Sequence, residues 1–396
     1  MPDKVIIIGI GFASRLGLIR AVAQTGAEIE VIVVGHEKPI PIDCHSKYVE
    51  RVYYCKGNNK DRLLHILTKE CLDEKRKAIL IPANDFATMV LDTNLELLEK
   101  YYYLPHINHQ QGAITAWMNK EKQKEAAIES GLNIASSKNV EIRNGLYQLP
   151  EDINYPCFTK TREYTRGYKQ TLHRCNDEEE LRRVLDVLGK KFKDITLMVE
   201  DYKEIDSEYA VVGVSDGKEV IIPGVMEILL MGKGNDNGVA CRGKIMPLSE
   251  FEELIEKFKT LILNVGYIGL FDIDFYLSKG VYYFSEINLR IGGSGCAVLK
   301  MGVNLPAMYV NIMLGKSING MAKMINKIGF FVNERICMDN WYNGFFSTKT
   351  FRKILHAGDI SFVKDDEDPM PEKYFKRELK YMRIKRVIKL VVKKIK

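Results

Sequence analysis

The 396-residue sequence has no uncharged apolar stretch approaching about 18 residues, so no transmembrane helix is expected. Its eight cysteines include no Cys-x-x-Cys pair and no Cys/His cluster at zinc spacing. That excludes a structural zinc module and leaves reduced thiols in the cytosol as the expectation. A strong charge of one sign is also missing. The net charge is +6, and much of it lies in the last twenty residues, so the body is near neutral. This argues against a nucleic-acid-binding face there. The opening MPDKVIIIGIG has neither the flanks nor the length of a signal peptide. The dinucleotide fingerprint is incomplete as well: GIGFAS supplies two of its three glycines, and His36 stands where an acid is expected.

What is present is ordinary globular composition, 46% apolar and 28% charged, in a chain long enough for two or three domains. Residues 5–9 (VIIIG) form a continuous β-branched run suited to a buried parallel strand. A glycine turn, a helix-like segment from about 14 to 25 and a second strand at 29–35 complete a βαβ unit that opens a doubly wound sheet. Residues 78–87 read as a buried strand ending in a turn, with Asp85 able to start a helix. Residues 117–131 read as an amphipathic helix closed by glycine. A small α+β segment from about 140 to 205 follows, with a helix capped by Asp177 and then a strand, linker and strand over 195–214.

The most informative stretch is 269–295, GLFDIDFYLSKGVYYFSEINLRIGGSG. Two apolar runs flank Ser278-Lys279-Gly280, a hairpin turn. By the period-two rule, closing the hairpin can bring Asp274, Glu286 and Asn288 to one surface. Two carboxylates and an amide oxygen are hard ligands suited to Mg²⁺, or Mn²⁺, held together with substrate phosphates. Arg290 follows at the same alternation and can grip an anionic oxygen with two N–H groups. The glycine-rich turn at 292–295 lets backbone N–H groups approach a phosphate. A half-buried hairpin with a solvated polar face is the plain alternative.

This run resembles the metal-binding signature of the ATP-grasp carboxylate–amine ligases. The resemblance covers roughly residues 1–320, is strongest from 195 to 300, and implies an α/β and α+β chain. Residues 1–115 would be a Rossmann-like domain preceding the ATP-grasp fold, 116–205 its lid with the leading helix, and 206–325 the catalytic subdomain. Residues 326–396 would be a C-terminal helical extension without a family counterpart. The resemblance further implies ATP and Mg²⁺ as cofactors, with Asp274, Glu286 and Asn288 as metal ligands. Lys120 and Lys160 would contact nucleotide phosphate. Glu200, Asp201, Tyr202 and Lys203 would line adenine, Glu208 would take the ribose hydroxyls, and Arg290 would stabilise the phosphoryl transition state. The phosphate flap departs from the family: TREYTRGYKQ holds only Gly167, so Arg162, Arg166 or Lys169 would substitute for backbone donors. Lys233 and Arg242 are charged candidates near the acyl-phosphate.

The implied reaction joins a carboxylate and an amine through an acyl-phosphate. D-Aspartate added to a cell-wall peptide precursor is the first reading, because GGSG followed by KMGVNLP resembles D-aspartate ligases. An L-amino-acid, peptide or surface-polysaccharide ligase is the alternative, and a non-catalytic nucleotide-binding regulator is another. The sequence also admits a homodimer. The acidic run at 365–368, beside Pro369 and Pro371, reads as a linker or surface loop. The tail from Lys376 holds ten Lys or Arg against the single Glu378, with apolar residues near helical spacing. Such a helix can lie on an anionic membrane, which would put a cytoplasmic enzyme peripherally on the membrane's inner face.

Overall fold

Alternation along the first strand, Lys4–Gly9, sends Val5 and Ile7 into one apolar cluster and Ile6 and Ile8 into another. A strand covered on both faces needs apolar side chains at every position, which is why this run is continuous rather than alternating. It pairs in parallel with Glu28–Val34 and Ala78–Pro82. The full order of this sheet is Val49–Cys55, Glu28–Val34, Lys4–Gly9, Ala78–Pro82, Tyr102–Tyr103. The expected strand–helix–strand opening is present, with its helix at Phe12–Ala23 entered through Gly11 at φ 103°. That positive φ favours glycine.

The computed structural model describes residues 3–35, 39–162, 168–234, 238–318, 320–321 and 323–395. They fall into two compact units. One comprises Met1–Ile114, Tyr209–Ile273 and Asn288–Lys396, the other Thr115–Glu208 and Asp274–Ile287. His36, Arg166 and Gly167 lie outside the described residues.

In the first unit a second, mixed sheet runs from Tyr267–Ser278 through Ser207–Asp216, Val225–Met231, Ala240–Met246 and Gly329–Val332 to Ile360–Ser361. The hairpin strand Val281–Asn288 lies beside Tyr267–Ser278. Its turn has Lys279 at φ 50° and Gly280 at φ 79°, as a two-residue hairpin requires. The hairpin leaves this unit at Asp274 and rejoins it at Asn288.

Residues beyond 325 belong to the same core. Phe331, Ile360 and Phe362 share the cluster that contains Val5 and Val31. Helices Glu334–Tyr342, Thr348–Leu355 and Met370–Ile395 contribute to a further cluster around Trp341, Phe351 and Phe375. The acidic run is a loop with Asp366 and Glu367 exposed, as expected, but its last member turns into the core. Asp368 is fully buried, and its carboxylate accepts from Arg20 Nε at 3.0 Å and from the Lys47 N–H at 3.1 Å. Arg20 also donates to the carbonyls of Phe362, Val363 and Asp368, each at 3.0 Å. A buried guanidinium needs such partners, and the local composition of the run could not show that one lay opposite.

The second unit is built on an antiparallel sheet ordered His173–Cys175, Cys157–Thr161, Ile195–Asp201, Ser137–Arg143, Leu146–Tyr147. Helix Glu178–Phe192 covers it through Leu181, Leu185 and Leu188, which pack with Val140, Ile142 and Leu197. Asp177 caps this helix as expected, accepting from the Glu180 N–H at 2.8 Å.

Candidate active site

In the second unit, the helix Lys120–Glu129 begins where Asn119 Oδ1 accepts from the N–H groups of Glu121 (3.0 Å) and Lys122 (3.2 Å). That cap holds Lys120 in the first turn, and helical spacing gives Gln123 and Lys124 the same face. The buried Gln123 clamps the hairpin strand. Its Nε2 donates to Ile287 O at 2.9 Å and its Oε1 accepts from the Ile287 N–H at 3.1 Å. Beside Ile287, the Glu286 carboxylate meets the Lys120 ammonium at 2.5 Å.

Lys124 is buried and donates to Ala135 O at 2.7 Å and to Ser137 Oγ at 3.0 Å. Its ammonium also contacts Glu200 Oε1, the oxygen that Lys160 reaches at 2.8 Å. Burial depresses the Lys160 ammonium below the usual lysine range. Glu200 opposes that shift, while Lys120 and Lys124 add to it by repulsion. Burial alone would raise the Glu200 carboxyl, but Lys160 and Lys124 outweigh it and hold the group below its ordinary value. Three ammonium groups thus face two carboxylates, Glu200 and Glu286. Such an excess of donors suits a polyphosphate. Sequence reading missed Gln123 and Lys124, though their spacing three and four residues from Lys120 was a signal that could have found them.

The remaining nucleotide candidates follow along the strand and linker. Asp201 Oδ1 accepts from Asn154 Nδ2 at 3.2 Å. Tyr202 carries the Arg174 guanidinium 4.3 Å from its ring centre, and its own N–H donates to Pro156 O at 3.0 Å. The Lys203 ammonium lies 5.6 Å from the ring centre of Tyr283, which stacks on Tyr276. Burial raises the Glu208 carboxyl above its usual range. Asp274 and Tyr276 are half-buried between buried Ile273 and Phe275, as strand alternation predicts. Arg162, a candidate for the phosphate flap, pairs with Glu121 at 3.5 Å.

The first unit carries the other end of the hairpin. Arg290 Nε donates to Asp85 Oδ1 at 2.6 Å, and its Nη2 reaches Asn288 Oδ1 at 3.4 Å. Asn84, not Asp85, caps helix Asp85–Asp92 by accepting from the Ala87 N–H at 3.4 Å, so the Asp85 carboxylate faces Arg290. Gly292 has a steric reason: a Cβ there would lie 1.9 Å from Asp272 Oδ2. The Lys233 side chain is exposed, and Arg242 lies 5.7 Å from the centre of the Phe330 ring. The structure thus brings Glu286 to Lys120, Asn288 to Arg290, and Lys160 to Glu200. Among the described residues no group of three or more His, Cys, Asp or Glu side chains is gathered as a metal cluster. The donor chemistry nonetheless fits a hard divalent cation. Glu286 and Asn288 alternate on one strand, Asp274 lies on its partner, and Glu286 already holds a cationic group.

A Rossmann-like sheet, a small α+β unit with buried lysines and a carboxylate–amide hairpin are the parts that the resemblance to the ATP-grasp fold implies. Residues 125–303 match the ATP-grasp domain, and the chain carries that domain. It is 23% identical over 299 residues to the formate-dependent phosphoribosylglycinamide formyltransferase of Wolinella succinogenes, covering 75% of this chain and 72% of that one. It also matches carbamoyl phosphate synthase large chains, but spans only 29% of the one from Clostridium botulinum strain Loch Maree. Among solved structures, biotin carboxylase from Campylobacter jejuni in complex with βγ-ATP superposes with a TM-score of 0.66 at 14% identity, over 83% of this chain and 75% of that one. An L-amino acid ligase from Bacillus licheniformis superposes with a TM-score of 0.58 at 16% identity, over 83% and 79%. The fold expected from the sequence is the fold observed.

Proposed function

We propose that the chain is an ATP-dependent carboxylate–amine ligase with ATP and Mg²⁺ as its cofactors. A substrate carboxylate oxygen attacks the γ-phosphorus, and ADP leaves. The amine nitrogen then attacks the acyl carbon, phosphate leaves, and the nitrogen gives up a proton to form the amide. The work is positioning and charge stabilisation rather than protein nucleophilic chemistry.

The observation that carries this reading is the buried Lys124–Glu200–Lys160 cluster with Lys120 held on Glu286. Each phosphate-seeking ammonium is parked on a carboxylate, and the set keeps one positive charge in excess. Lys120 and Lys160 would turn to the nucleotide phosphates, with Glu200, Asp201, Tyr202 and Lys203 beside adenine. Ribose hydroxyls would donate to Glu208 and offset the burial of its charge. Asp274, Glu286 and Asn288 would hold Mg²⁺, which supplies a clamp on the phosphates and offsets charge on the transferred group. Arg290, steadied by Asp85, would meet the transferred phosphoryl oxygens. Residues 1–115, 116–205, 206–325 and 326–396 would act as preceding domain, lid, catalytic subdomain and extension.

For substrates, D-aspartate joined to a cell-wall peptide precursor is the first choice, on the GGSG and KMGVNLP motifs. The alternative, an L-amino-acid, peptide or surface-polysaccharide ligase, is favoured by the fold shared with an L-amino acid ligase. An envelope acceptor would suit an enzyme held at the inner face of the membrane, as monomer or homodimer.

The test is Mg²⁺-dependent ADP release with D- and L-amino acids, with and without a muramyl-peptide precursor. Release that needs D-aspartate plus precursor supports both the chemistry and the substrate. Release with another pair keeps the chemistry and replaces the substrate. Glu286→Gln should abolish release at least about a hundredfold while the far-UV circular dichroism stays unchanged. A fully active Glu286→Gln enzyme would refute the metal assignment.

A further inference from the structure

The C-terminal helix Met370–Ile395 has two opposed apolar faces, and only one is used by the fold. Phe375 and Leu379 are buried in the cluster around Trp341, with Met382 packed against it. Arg386 continues this face: its Nη2 donates to Phe346 O at 3.2 Å, and its guanidinium lies 4.6 Å from the centre of the Trp341 ring. Glu378, the single acid of the tail, is taken by Arg335 Nη1 at 3.0 and 3.1 Å. Two residues beyond three of the packed positions stands an exposed apolar one: Tyr381 after Leu379, Ile384 after Met382, Ile388 after Arg386. A two-residue step on an α-helix is a little over half a turn, so this second stripe points away from the first. Tyr381, Ile384, Val387 and Ile388 are 56%, 62%, 60% and 56% exposed. Exposed Lys376, Arg377, Lys380, Arg383 and Lys385 accompany them.

We infer that this outward stripe is a docking surface for an anionic lipid bilayer, with the helix lying flat and its inner face gripping the protein. The choice of occupant rests on charge and shape. A second copy across a two-fold axis would set these cations against their own kind, and four apolar side chains are few for a dimer interface of standard size, about 800 Å² per partner. A nucleic-acid backbone would neutralise the cations but leave the apolar stripe without a role. An anionic membrane interface satisfies both: the stripe enters the boundary between headgroups and chains while the lysines and arginines stay with the headgroups. This inference does not depend on the ligase reading.

The experiment is cosedimentation of the full chain with vesicles of phosphatidylcholine alone or of equal parts phosphatidylcholine and phosphatidylglycerol. The wild type should bind the mixed vesicles at least about tenfold more tightly than the neutral ones and be released by high salt. The Ile384→Glu/Val387→Glu/Ile388→Glu variant should lose at least about tenfold of that binding. It should keep its sedimentation coefficient and Mg²⁺-dependent ADP release, because these side chains are more than half exposed and belong to no buried cluster among the described residues. Absence of binding to the mixed vesicles, or equal binding by the triple variant, overturns the inference. A dimer that the triple variant dissociates, without vesicle binding by the wild type, assigns the stripe to a second copy. Duplex-DNA retention indifferent to the triple substitution, with no vesicle binding, assigns the cations to nucleic acid.

Discussion

Lys124 sits one helical turn past Lys120 and directs its ammonium to Ala135 O, Ser137 Oγ and Glu200. Because it keeps Glu200 compensated, Lys160 would, in the proposed nucleotide complex, leave that carboxylate for a phosphate without stranding a buried negative charge. Lys124→Met should therefore weaken ADP binding about tenfold while leaving adenosine binding within about twofold, and Lys124→Arg should recover part of the loss. Stability should fall by about 1.5–3 kcal/mol, readable by urea denaturation, since charge-assisted hydrogen bonds are lost. Equal losses for ADP and adenosine would make the residue structural only. Lys160 adds a pH dependence with a definite sign. Its folded pKa lies below its unfolded one, so between the two values the unfolded chain binds more protons. This group's share of stability therefore rises with pH across that window. Phosphate affinity moves oppositely: ADP binding should weaken as pH climbs through the depressed value, below the pH at which an ordinary lysine would discharge. Titrating ADP binding across the alkaline range checks this, and Lys160→Met should lack that limb.

At the scale of elements, the hairpin's second strand is held where it ends. Gln123 bonds both polar backbone groups of Ile287, and Arg290 ties the strand's exit to Asp85. Just beyond, Gly292 lets the backbone pass against Asp272, where no side chain fits. Gly292→Ala should lower thermal stability by about 1–3 kcal/mol and ADP release by at least about tenfold, whereas Ala at the open Gly280 should leave release near wild type despite its strained φ. Comparing the two variants by calorimetry and turnover separates crowding from flexibility. The hairpin, the βαβ opening and the Asp177 helix were legible because each is written in local alternation, turn chemistry or capping. The helix that begins at Lys120 was legible through its amphipathic run and closing glycine. The pairing of Glu200 with two lysines was not, because it joins residues 76 and 40 positions apart in the chain, and strand periodicity says nothing about which charge lies opposite. Asp85 was read as a helix start from its residue type. The helix does start there, with Asn84 as its cap, and only the fold reveals that the Asp85 carboxylate binds Arg290.

Across the whole molecule, the C-terminal stretch is joined to the first sheet and its helix. Phe331, Ile360 and Phe362 pack with Val5 and Val31, and Asp368 neutralises Arg20 in the interior. Asp368→Ala should cost about 3 kcal/mol or more, because it leaves a buried guanidinium without its carboxylate. Asp368→Asn should cost less, because the amide oxygen can still accept from Arg20. Guanidinium denaturation of both variants reads the difference, and equal, negligible losses would show that the carbonyl contacts suffice. This closure has a further consequence during synthesis. Arg20 and Asp368 are 348 residues apart in the chain. At ribosomal speed that separation is roughly 20–70 s, during which the first helix carries a cation whose burial nothing yet compensates. Burial of Arg20 with its carboxylate therefore has to follow synthesis of the segment around Asp368.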